Sequence, residues 1–101
     1  MSSLSQELES VMGITLQAMK SGFDTHQFIL KLASENQKAY IDALASIDSS
    51  KPFQTLHAAI GKKLMKMATD GEYPIQEIES GISSPNIFGE LSSCSRWQKS
   101  P

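Results

Sequence analysis

The chain has one cysteine, Cys94, among its 101 residues. That excludes a disulfide within the chain and fits a reducing compartment. No stretch approaches the ~18 consecutive apolar residues that a membrane-spanning helix needs. The opening residues MSSLSQELES carry two glutamates where a secretory leader needs a basic start and an apolar centre, so a cytoplasmic location is expected. Charge of one sign is also scarce. Nine Lys and Arg against 11 Asp and Glu give a net charge of −2 and a pI ≈ 5.6. Nucleic-acid binders of this size are ordinarily basic, so such a role would rest on a local patch. The two histidines, His26 and His57, and Cys94 are scattered, and no pair is spaced to meet on one helix face, so neither a metal nor another cofactor is expected. GEYPIQEIESG (71–81) is no phosphate loop: its glycines are too far apart and the lysine is missing.

What is present suffices for one core. Apolar residues make up 40% and charged residues 20%, and at this length folding hides about two-thirds of the unfolded chain's surface. A single domain over 1–101 is expected. A first helix is expected from Leu4 to Lys20, with Leu4, Leu8, Val11, Met12, Thr15 and Met19 on one stripe. Ser3 with Gln6 reads as its capping box and Ser21-Gly22 as its stop. Gly13 inside it costs about 1 kcal/mol relative to alanine.

The stretch FDTHQFILKL (23–32) has the chemistry of a helix start. With Asp24 as N-cap, Gln27 stands at N3 and completes a capping box. Phe23 and Phe28 then take the two positions of a hydrophobic staple. Only His26 has no structural duty there. Ile29, Leu32, Ala33, Tyr40, Leu44 and Ile47 continue one face, as one helix over 25–47 or as two with a break near Asn36; Ser34 with Gln37 as a fresh capping box favours the break. DSSKP (48–52) is a linker, and Pro52 suits the first turn of a helix over about 52–68 that ends at Asp70-Gly71. After Gly71 the periodicity fades into a serine-rich, proline-interrupted third, with a small strand pair as an alternative to short helices. The expected fold is mainly α: three to four packed helices within about 1–71, and an irregular segment over 72–101.

Several residues invite functional readings. Phe53, Leu56, Ile60, Leu64 and Met67 form the sharpest stripe in the chain, suited to a central packing or partner face. His57 lies within that stripe and reads as a core histidine. Trp97 either folds back on the core or fills a partner's groove; the first helix or Trp97 is the part expected to be exchanged with a partner. Lys62, Lys63 and Lys66 form a basic face, with Arg96 and Lys99 as a second patch. Ser84 would then cap a recognition helix carrying Asn86 and Glu90, in a divergent helix-turn-helix. Cys94, with His57 or His26 as base, is the one nucleophile to weigh, but SSCSRW matches no nucleophile elbow or protease cysteine box. No catalytic residue is assigned.

FDTHQFI, PFQTLHAAIGKKL and SPNIFGELSSCSRW resemble a group of small bacterial proteins of unassigned function, carried on mobile gene cassettes and among other accessory genes. These stretches cover about a third of the chain. The resemblance implies a bacterial, cytoplasmic accessory protein and brings no site residues with it; the first helix departs from the pattern. Together these readings lead to the expectation of a small non-enzymatic binding or regulatory module. It would act through protein contacts, a homodimer being one form, with DNA binding through the Lys62/Lys63/Lys66 face as the alternative.

Overall fold

Asp24 organises the middle of the molecule. Its backbone is extended, so it ends a strand, and its side chain accepts from the Gln27 amide at 2.8 Å, so it also starts a helix. Gln27 Oε1 accepts in return from the Asp24 amide at 2.9 Å, and the Phe23 and Phe28 rings meet at 6.2 Å. The computed structural model describes residues 5–71 and 73–99. The elements run α1 (Gln6–Ala18), β1 (Gly22–Asp24), α2 (Thr25–Glu35), α3 (Gln37–Ala45), α4 (Pro52–Thr69), β2 (Ile75–Pro85) and β3 (Leu91–Lys99).

The fold is therefore α+β, which corrects the expectation of a mainly α domain with an irregular last third. β2 and β3 form a long antiparallel hairpin, and β1 pairs with the other side of β3, giving the order β1-β3-β2. The hairpin escapes a reading of periodicity because it has no continuous buried face. Along β2 only Ile75 and Ser84 are buried, and along β3 only Trp97. A strand wet on both faces has no reason to alternate apolar with polar residues. Register shifts between Glu77 and Glu79 and between Glu79 and Ile82 disturb the period further. The turn is built by Asn86, whose Oδ1 accepts from the amides of Phe88 and Glu90, and by Gly89 at φ 83, a value that favours glycine.

The helices follow the sequence more closely. Ser5 caps α1, accepting from the Leu8 amide at 3.1 Å; the Ser3 box lies outside the described residues. The helix then stops at Ala18, short of Lys20. Asn36 (φ −135) separates α2 from α3. It, rather than Ser34, is the N-cap residue of α3, and its Nδ2 donates to the Leu32 carbonyl. Pro52 opens α4 and Gly71 (φ 72) follows its end. Leu8, Met12 and Leu16 of α1, Phe28, Ile29 and Leu32 of α2, and Leu56, Ile60, Leu64 and Met67 of α4 fill one core, closed by Phe23, Ile75 and Trp97 from the sheet.

Candidate functional site

A cleft of about 970 Å³ opens between α4, the start of α2 and the hairpin. On its α4 side, Phe53 stands one turn before His57, as a helix requires of residues four apart. From the hairpin turn, the Asn86 network throws Phe88 across the cleft. The Phe53 and Phe88 rings meet edge to face, centroids 4.9 Å apart and planes at 84°. They remain 41% and 54% exposed. His57 extends the cluster, 6.0 Å from Phe53 and 6.4 Å from Phe88. Lys51, Lys62 and Glu90 supply charge around the opening.

His57 is held from behind by Tyr40 of α3, with Tyr40 Oη 2.5 Å from His57 Nε2. Burial pushes the Tyr40 hydroxyl up to about 12, so it keeps its proton. Burial also holds the His57 imidazole below its ordinary 6.5, and repulsion from His26 lowers it further. The two effects agree on one arrangement: Tyr40 donates, neutral His57 accepts at Nε2, and Nδ1 carries the ring proton. His57 is thus a braced member of the cleft wall.

Where β1 passes into α2, three donor groups meet, two of which, His26 and Cys94, line the cleft. A carboxylate oxygen of Asp24, one ring nitrogen of His26 and Cys94 Sγ lie within 4.8 Å of one another. Asp24 also accepts from Ser84 Oγ at 2.7 Å through Oδ2. Sequence reasoning missed the trio because Cys94 reaches Asp24 and His26 only through the β1–β3 pairing. The one local signal was that His26 alone lacked a duty in its capping motif.

The residues expected to meet a partner are mostly inside. Leu56, Ile60 and Leu64 have no exposed surface, and Met67 and Trp97 have 2% and 1%. They are the packing face, and Phe53 alone of that set faces outwards. Trp97 is folded back on the core, its Nε1 donating to Thr25 Oγ1 at 2.9 Å. Helix α1 likewise buries its apolar side within the same core.

The basic face is also smaller than its lysines imply. Lys63 pairs with Glu9 at 3.5 Å, and Lys99 Nζ donates to the Gln17 and Met19 carbonyls at the end of α1. Lys62 and Lys66 remain exposed on α4 and Arg96 on β3. No recognition helix forms: Ser84 lies in β2, and Asn86 and Glu90 build the hairpin turn. The sequence from 84 to 91 is therefore strand and turn, which corrects the helix-turn-helix expectation.

Among the described residues no helix is long and apolar enough to cross a membrane. Comparison with protein-family models, with curated proteins and with solved structures finds no match to this chain.

Proposed function

We propose that the protein is a small non-enzymatic binding module, with its cleft taking an acidic segment of a partner protein that carries one large apolar side chain. The Phe53–Phe88 pair carries this reading. Two phenylalanine rings brought together from α4 and the hairpin turn, and left about half exposed, are what an interaction site presents before its partner arrives. Leu91 at 74% and Met65 at 40% exposure extend the apolar surface along the same cleft. Lys51 and Lys62 stand beside it, and among the described residues neither is in an ion pair. They favour acidic flanks on the incoming segment over basic ones. A cytoplasmic setting fits the lone thiol of Cys94, and the resemblance to small bacterial accessory proteins fits a regulatory role.

The test is fluorescence polarisation with short labelled peptides that hold one tryptophan or leucine between acidic or between basic residues. Acidic-flanked peptides are expected to bind, and Phe53→Ser/Phe88→Ser is expected to weaken binding at least about tenfold. Equal binding by that variant, or no binding by either peptide set, overturns the reading. A mixed-sequence DNA duplex run in the same assay gives a further check. Salt-sensitive DNA binding abolished by Lys62→Ala/Lys66→Ala would transfer the function to nucleic acid. Light scattering over a concentration series gives another: a dimer that Phe53→Ser dissolves would assign the cleft to a second copy.

A further inference from the structure

His26 Nδ1 is buried and has no hydrogen-bond partner. A buried polar atom left unpaired loses its hydration without compensation, and such atoms call for a reason. His26 also stands beside the Asp24 carboxylate and the Cys94 thiol, with one of its ring nitrogens within 4.8 Å of a donor atom of each. We propose that Asp24, His26 and Cys94 form a binding site for a divalent transition-metal ion of the zinc class. The site is independent of the peptide reading of the cleft.

The donor set chooses the metal. Imidazole nitrogen and thiolate sulfur suit zinc and its neighbours, whereas magnesium and calcium take oxygen alone. Bonds of about 2.0–2.3 Å in a tetrahedron place ligand atoms about 3.5 Å apart. The trio lies within 4.8 Å, so the donors need to close by up to about 1.3 Å. Charge also balances. A dication meets one carboxylate and one thiolate and leaves no net charge at the positive end of α2. The Cys94 thiol gives its proton to solvent as the Sγ–metal bond forms, and no electrons change hands.

The surroundings are those of a supported ligand. Gln27 donates its amide to Asp24 Oδ1 and Ser84 its hydroxyl to Oδ2. Each oxygen keeps a lone pair for an ion, and the two bonds fix the carboxylate's direction. His26 and Cys94 both line the cleft, so a fourth coordination position would open towards it. Three protein ligands and one open position make a site that exchanges its last ligand, unlike a closed structural site.

The experiment uses the full chain, kept reduced, with cobalt(II) as spectroscopic probe and zinc as competitor. A thiolate-to-cobalt charge-transfer band is expected at one ion per chain and is expected to vanish when zinc is added. Zinc is also expected to protect Cys94 from alkylation in the unaltered protein, a readout that needs no variant. Cys94→Ser should abolish the band. His26→Gln and Asp24→Asn, the latter keeping an N-cap residue, should each weaken zinc binding by at least about tenfold, and Ser84→Ala by about tenfold through loss of ligand support. Absence of the band together with unprotected Cys94 overturns the proposal. So does wild-type affinity in His26→Gln with its circular dichroism unchanged.

Discussion

Thr25 serves two strand groups with one hydroxyl: Oγ1 accepts from Trp97 Nε1 and donates to the Ser95 carbonyl at 3.3 Å. Thr25→Val keeps the shape and removes both bonds, leaving a buried indole N–H without a partner. A loss of about 1–3 kcal/mol is expected, read from urea unfolding followed by Trp97 fluorescence. His57 gives a pH dependence whose sign is set by its surroundings. Its folded-state proton affinity lies below the ordinary 6.5, so the unfolded chain takes the proton more readily. The stability it contributes is complete above 6.5 and is lost as pH falls through the lowered value. The groups around it are Tyr40, Phe53 and Phe88, and His26 repels it. The urea midpoint should fall on acidification through this range, and His57→Gln should fall less steeply; parallel curves would remove His57 as the cause. At this scale the sequence is legible where a motif is local. Asp24 and Gln27 are three residues apart, and their capping box forms as read. The neighbours of His26 and Cys94 depend on strand pairing, which no local spacing encodes.

Helix α1 shows how an element can carry a residue that disfavours it. Gly13 sits in the middle of α1, where alanine would be about 1 kcal/mol better. An added Cβ would overlap the Tyr73 hydroxyl and lie 2.8 Å from Tyr73 Cζ. The glycine is thus the seat of a ring arriving from beyond α4. Gly13→Ala should destabilise the protein. The same change in a Tyr73→Ala background should stabilise it by about 1 kcal/mol. A double-mutant cycle in urea measures both, and a change of the same sign in the two backgrounds would refute the packing account. The helices were legible because each has a dry stripe, such as Leu56, Ile60, Leu64 and Met67, and so the 3.6-residue period is written into the chain. The hairpin was not, because Ile78 and Leu91 are exposed and Ser80 and Ser83 between them face water. Its one strong anchor, Trp97, reads as an isolated aromatic until its partner Phe23 is known.

In the whole molecule that anchor joins the sheet to the helices. Trp97 is in the same core as Phe28, Leu32 and Leu56, so the hairpin is not an appendage. Trp97→Ala should cost about 3–5 kcal/mol, a large share of the about 5–15 kcal/mol of a typical domain. The helical circular dichroism signal should then melt at a urea midpoint lower by about 1–5 M. An unchanged midpoint would mean that the helices fold without the sheet.

The placement of β3 between β1 and β2 also sets a timetable. Trp97 and Thr25 bond across 72 positions, so β1 and the first turn of α2 wait for a strand made much later. At about 5–20 residues per second of synthesis the wait is about 4–15 s. Throughout it Phe23 has no strand partner, and this apolar surface is open to chaperones and proteases while the chain is still on the ribosome.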